Sequence, residues 1–161
     1  MIGNDVVDLA LSRIESNWQR YGISNKIFTR NEQELIDSAT DSETMFWTFW
    51  SRKEAVYKII ARAQNIRKFI PLQIECQTID AMSIVIYNNV NYYVNTKIEY
   101  DLIHSVAVAK YYDLQNVIEL KDCCEITKEG VYPFAICNGI VYPISVSHHG
   151  EFRKVVKLDP T

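Results

Sequence analysis

Glu54 and Lys58 stand four residues apart in the segment Trp50-Ser51-Arg52-Lys53-Glu54-Ala55-Val56-Tyr57-Lys58, whose apolar residues otherwise recur with a helical period. At that period Ser51, Glu54, Lys58 and Arg62 share one face, while Phe46, Phe49, Trp50, Val56, Tyr57 and Ile60 supply the buried one. A carboxylate and an ammonium so placed suit magnesium-assisted phosphate chemistry. Alone, the pair also reads as an ordinary surface ion pair worth about 0.2–0.5 kcal/mol. Two further segments favour chemistry. Ile2-Gly3-Asn4-Asp5-Val6-Val7-Asp8-Leu9 is patterned as a short buried strand with an aspartate just after a glycine. Such a carboxylate is costly unless a cation neutralises it, and a metal ion would do so. Pro143-Ile144-Ser145-Val146-Ser147-His148-His149-Gly150-Glu151-Phe152 alternates apolar and small polar residues and turns at His-His-Gly. It presents Ser147 and His148 at a sheet edge, where hydroxyl and imidazole donors can meet a phosphate.

The elements that position these groups follow from local signals. Residues 10–21 form a mixed helical stretch with Gly22 as its stop. Thr29 followed three residues later by Glu32 is a capping-box spacing, with Phe28 placed to pack on Gln33 or Leu35. Asp41-Ser42-Glu43 then opens the aromatic helix carrying Glu54 and Lys58 to about Ala63. From Leu72 the period becomes two, giving strands through Leu72, Ile74 and Cys76 and over residues 83–87. Asn88-Asn89 turns a hairpin into residues 92–98, and another strand spans 104–109. A less regular stretch reaches Gly130, and residues 131–158 hold two more strands broken by Asn138-Gly139. Helices first and strands mostly afterwards predict an α+β fold, an antiparallel sheet with helices packed on one side. Its length predicts a single domain over residues 1–161.

Composition excludes some classes. Seventeen basic against twenty acidic side chains leave no global positive field, which disfavours nucleic-acid binding. No apolar run approaches bilayer-spanning length and the first residues form a strand rather than a leader, so a cytoplasmic protein without membrane attachment is expected. Cys76, Cys123, Cys124 and Cys137 contain no Cys-x-x-Cys pair, and reduced thiols are expected of them. His104 and His149 read as structural, as does the surface cluster of Tyr87, Tyr92, Tyr93 and Tyr100.

Taken together, the three segments resemble the 4'-phosphopantetheinyl transferase superfamily, whose members carry a Gly-x-Asp strand, a Trp-Ser/Thr-x-Lys-Glu-Ala/Ser-x-x-x-Lys helix and a Ser-x-Ser-His strand end. The resemblance implies transfer of the phosphopantetheine arm of coenzyme A to a serine of an apo carrier protein, with magnesium and release of adenosine 3',5'-bisphosphate. It implies Asp5 and Glu54 as metal ligands, with Glu54 or a metal-bound water as base. Lys58 is implied to neutralise a phosphate oxygen, and His148, with Ser147, to contact the coenzyme A phosphates. Lys53, about 100° round the helix from Glu54, has at most a secondary role.

Two departures stand out. Where larger, surfactin-type members have Gly-x-Asp-x-Glu, this chain has Val7, and Asp8 one residue later reads as a cap or structural partner. Lysines before the Ser-His strand are nearly absent, so Arg153, Lys154 or a neighbouring subunit would hold the 3'-phosphate. The Ser-His strand comes last, as in the short holo-acyl-carrier-protein synthase type, which forms trimers with active sites between subunits. Yet residues 92–110 resemble the close of a surfactin-type second half, which leaves a homo-oligomer with shared active sites an open expectation. Two other readings compete: a non-catalytic member binding coenzyme A or a carrier protein, and a magnesium-dependent phosphodiesterase or nuclease. The latter would muster more carboxylates or a basic groove.

Overall fold

The computed structural model describes residues 1–121 and 124–159. The chain begins with strand β1 (Ile2–Asp8), buried along its whole length. Asp8 then ends the strand by capping helix α1 (Leu9–Glu15), accepting from the Leu11 N–H at 3.0 Å. The helical stretch expected to run to Tyr21 stops at Glu15. Gly22, at φ +77°, precedes the short α2 (Ile23–Ile27) instead of closing a longer first helix. The capping box is present at the start of α3 (Arg30–Ser38), where the Thr29 N–H donates to Glu32 at 2.8 Å. Phe28 packs on Phe46 and Phe49 rather than on Leu35, which is half exposed. The Phe28 carbonyl accepts from the Gln33 amide at 2.9 Å.

Helix α4 (Ser42–Gln64), capped by Asp41, lies across the first sheet. That sheet comprises β1, β2 (Ile74–Ile79), β3 (Met82–Tyr87), β4 (Val90–Glu99) and β5 (Leu102–Val108), antiparallel in the order β1-β5-β4-β3-β2. Asn88 and Asn89, both at positive φ, make the expected hairpin. Phe46, Phe49, Val56 and Ile60 of α4 meet Val85, Tyr92, Val94 and Ile103 of the sheet in the main core. Lys53 lies fully buried among them. Its ammonium donates to Glu32 at 2.6 Å and to the carbonyls of Ile27 and Pro71, each at 2.9 Å. Glu32 also accepts from the Cys76 N–H at 2.7 Å, so every charge in this network is hydrogen-bonded.

A second antiparallel sheet fills the rest of the chain: β6 (Val117–Glu119), β7 (Glu125–Glu129), β8 (Tyr132–Cys137), β9 (Ile140–His149) and β10 (Phe152–Leu158), in the order β6-β10-β9-β8-β7. The α+β expectation holds, with helices on one face of the first sheet, but there are two sheets where one was expected. Residues 131–158 carry three strands rather than two, because Gly150 makes a second tight turn after His149. It lies at φ +56°, and a Cβ there would overlap the Asp8 carboxylate. The sheets meet along β1 and β5, where Ile2, Val106 and Val108 pack on Val156.

Cys124 and Cys137 form a disulfide at the start of β7 and the end of β8. This corrects the expectation of reduced thiols: hairpin pairing brings together cysteines that are distant in sequence. Cys76 is free and buried, and Cys123 lies outside the described residues. Among the described residues no helix is long and apolar enough to cross a membrane.

Candidate active site

The polar stripe of α4 faces β1 and the second sheet rather than solvent. The Ser51 hydroxyl donates to the Asp5 carbonyl at 3.3 Å, and the Lys58 ammonium to the Asn4 carbonyl at 2.6 Å. Arg62 donates to the carbonyls of Ile144 and Pro133 at 3.1 and 2.9 Å. Gly3 permits this approach, since a Cβ there would overlap the Ala55 carbonyl beside Glu54.

On its other side β1 is the edge of its sheet, with amides at alternate positions left unpaired by β5. The alternate side chains of β9 meet them. The N–H groups of Asn4, Val6 and Asp8 donate to Ser145 Oγ, Ser147 Oγ and His149 Nδ1 at 2.9, 3.1 and 2.9 Å. Ser147 in turn donates its own hydroxyl to Asp5 Oδ1 at 3.0 Å. Its hydroxyl, expected to meet a phosphate, is thus engaged twice by β1. His149, read as structural, accepts a backbone N–H here, and the Asp8 carboxylate accepts from the Leu11 and Glu151 N–H groups at 3.0 and 3.2 Å. Strand alternation turns the intervening His148 away from this ladder and leaves it exposed.

Two clefts meet at His148. The first, of about 370 Å³, is lined by Asp5, Glu54, Ser12 and three tryptophans, Trp18, Trp47 and Trp50. The second, of about 530 Å³, lies between α4 and the second sheet; Lys58, Arg62, Lys128, His148 and Arg153 give it a cationic lining, with Tyr132 among its apolar residues. A larger depression of about 600 Å³ beside α2 and α3 is open and polar, and contains none of the residues expected to do chemistry. The structure therefore gathers Asp5, Glu54, Lys58, His148 and Arg153 around one pair of clefts. Lys154, the alternative to Arg153, is paired with Glu119 at 2.6 Å.

The electrostatics are those of a site short of positive charge. Burial pushes the Asp5 carboxyl up, against the pull of Lys58 at 3.5 Å and the Ser147 hydroxyl. Glu54 is pushed up to about 7 by burial and then by the neighbouring Asp5. Two carboxylates in a shared cleft, both raised by burial and one of them raised further by the other, fit a divalent cation. Among the described residues no cluster of three His, Cys, Asp or Glu forms, and Asp5 and Glu54 are the carboxylates that share the cleft. Magnesium, which keeps several waters and takes phosphate oxygens, suits so small a set.

Sequence reasoning missed Ser145, Lys128 and Tyr132. Ser145 was legible in the alternation Ser145-x-Ser147-x-His149, which matches the spacing of free amides on an edge strand. Lys128 and Tyr132 carry no local signal, because only the packing of β7 and β8 against α4 brings them to the cleft. Tyr132 is held there by its hydroxyl, which donates to the Ala61 carbonyl at 2.9 Å.

The family model of the 4'-phosphopantetheinyl transferase superfamily matches residues 1–112. The second sheet, which begins at Val117, lies outside that match. Among solved structures, holo-[acyl-carrier-protein] synthase from Neisseria meningitidis shares the fold, with a TM-score of 0.54 at 18% identity. The similarity covers 68% of this chain and 96% of that one. No curated protein sequence matches the chain.

Proposed function

Because the chain belongs to the 4'-phosphopantetheinyl transferase superfamily, we propose that it transfers the phosphopantetheine arm of coenzyme A to a serine of an apo carrier protein, in the manner of holo-acyl-carrier-protein synthases. The observation that carries this reading is the pair Asp5 and Glu54 on one cleft, adjoining a cleft lined by cationic side chains. Asp5 and Glu54 would hold magnesium, which supplies charge neutralisation at the diphosphate when bound.

The serine oxygen bonds to the phosphorus bearing the pantetheine arm. The bond from that phosphorus to the oxygen bridging the two phosphates breaks, and adenosine 3',5'-bisphosphate leaves with the bond's electron pair. The serine proton passes to Glu54, the carboxylate that lines the cleft beside Asp5. Lys58 and His148, at the meeting of the clefts, stabilise charge developing on the phosphate oxygens. Arg153, which pairs with His148 across β9 and β10, lies in the cationic cleft and contacts the nucleotide end. Ser147 acts as a positioning residue, holding one oxygen of Asp5 and leaving the other for the metal.

The test is the mass of an apo carrier protein after incubation with the chain, coenzyme A and magnesium. Transfer adds the mass of one phosphopantetheine arm to the carrier and requires magnesium. A chain that only binds coenzyme A or carrier leaves the mass unchanged, and that result overturns the reading.

A further inference from the structure

A groove of about 530 Å³, lined by none of the residues assigned to the transfer chemistry, lies between the end of α3, one face of α4 and the outer strands of the first sheet. Its α4 lining runs from Asp41 through Met45 and Phe49 to Arg52 at three- and four-residue spacing, which is one face of the helix. At 1.5 Å per residue that face is about 16 Å long. The groove has room because β3 pairs with β4 only over residues 90–94, so that β4 runs on past it to Glu99 with β5 as its neighbour. Its surface is mainly apolar, and Leu35 and Ile98 stand on its walls 50% and 48% exposed.

The charged residues of the lining are Asp41 and Arg52, one at each end of the helical face. The Asp41 carboxylate is occupied in capping α4, accepting from the Thr44 N–H and hydroxyl at 3.0 and 2.7 Å. Arg52 has no comparable partner. Its Nε donates to the Thr96 hydroxyl at 3.0 Å and its guanidinium lies 6.0 Å from the centre of the Phe49 ring. Among the described residues it forms no ion pair, and its two NH2 groups meet no acceptor. Burial pushes the guanidinium down, a direction that a bound anion would reverse. A half-buried cation at one end of an apolar groove is complementary to a molecule with one anionic end and an apolar body. The two parallel N–H groups of a guanidinium match a carboxylate, and the single positive charge of the lining balances a single negative one.

We propose that this groove is a binding site for an amphiphilic carboxylate of the fatty-acid type, its carboxylate held by Arg52 and its chain lying along Phe49, Met45 and Leu35. Its volume falls within the range of small-ligand sites, roughly 300–1,000 Å³. The site is separate from the two clefts at His148, and it stands whether or not the chain carries out the transfer reaction.

The full chain is titrated by calorimetry with decanoate below its micelle concentration, with decyltrimethylammonium, which carries the same chain and the opposite charge, and with acetate, which lacks the chain. Decanoate is expected to saturate one site per chain, and the other two are expected not to saturate. Arg52→Gln is expected to weaken decanoate about tenfold or more, as loss of a hydrogen bond to a charged group requires. Ile98→Glu sits at a half-exposed position where folding tolerates a polar side chain, and it is expected to abolish decanoate binding by placing a second carboxylate in the groove. Thermal unfolding of both variants shows that each is folded, and Ile98→Glu alone carries the test if Arg52→Gln is not. Absence of saturable decanoate binding, equal binding of decyltrimethylammonium, or unchanged decanoate affinity in either folded variant overturns the proposal.

Discussion

At Asp5, two neighbours share one carboxylate, Lys58 at 3.5 Å and the Ser147 hydroxyl at 3.0 Å, while burial opposes its charge. Asp5→Asn keeps the shape and removes the charge, and it is expected to lower kcat by roughly a hundredfold or more. Ser147→Ala leaves the charge but frees its orientation. It is expected to weaken magnesium binding about tenfold, read directly by calorimetry, with smaller changes in coenzyme A affinity. Glu54 gives a pH dependence of definite sign. Its folded-state value near 7 lies above the ordinary carboxyl value of 4.5, so the folded protein holds the proton more tightly. The metal-free protein should therefore lose stability as pH rises from about 4.5 to 7, and a divalent cation should raise Tm more at about pH 8 than at about pH 6. His104 works in the opposite direction, since burial lowers it to about 4 from 6.5. The unfolded chain takes up that proton first, so roughly 3 kcal/mol of stability should disappear as pH falls from about 6.5 to 4. Asp5 and Glu54 stood out in the sequence because a carboxylate in a strand and a charge in an aromatic helix are locally anomalous. Ser147 was legible as a site residue, but its engagement by β1 depended on a strand 141 residues away.

Helix α4 does two jobs, and their residues interleave along it. Glu54 and Lys58 each line one of the two clefts, whereas Lys53 ties α4 to α3 and β2 through Glu32. Lys53→Met would strand the buried Glu32 charge, and a loss of about 3–5 kcal/mol is expected in denaturant unfolding. A double change that also replaces Glu32 with an apolar residue should recover part of it, whereas an undiminished loss would assign the cost to packing alone. The capping box was legible from Thr29 and Glu32, which are neighbours in sequence. That Glu32 also caps the Cys76 amide and neutralises Lys53 was not, because those partners come from other elements. The missed strands have two causes: residues 117–119 pair with β10, far along the chain, and residues 125–129, paired with the adjacent β8, are exposed throughout and so show little apolar periodicity. Gly3 was read as part of a motif, and the structure supplies its cause in the close approach of β1 to the α4 backbone.

At the scale of the whole molecule, the second sheet brings His148 to the cleft of Asp5 and Glu54, and Arg153 to the adjoining one, within one chain. We therefore propose that residues 1–161 act as one unit whose site is complete without a neighbour. Activity per chain should be independent of protein concentration, and light scattering should find a monomer active. The disulfide closes the β7–β8 hairpin that walls the cationic cleft, across a sequence separation of 13. Cys137→Ser is expected to lower stability by about 3 kcal/mol, and thiol counting without reductant should find Cys124 and Cys137 unreactive. The chain order was legible in the sequence, with the Ser-His strand last. The packing of that strand's side chains onto the free edge of β1, which joins the two sheets, was not. The most direct measurement is anomalous diffraction from crystals of the full chain with coenzyme A and manganese in place of magnesium. A single metal peak between the carboxylates of Asp5 and Glu54, touching the coenzyme A diphosphate, is the expected result. A metal held by other residues, or a diphosphate bound away from this pair, would contradict the account.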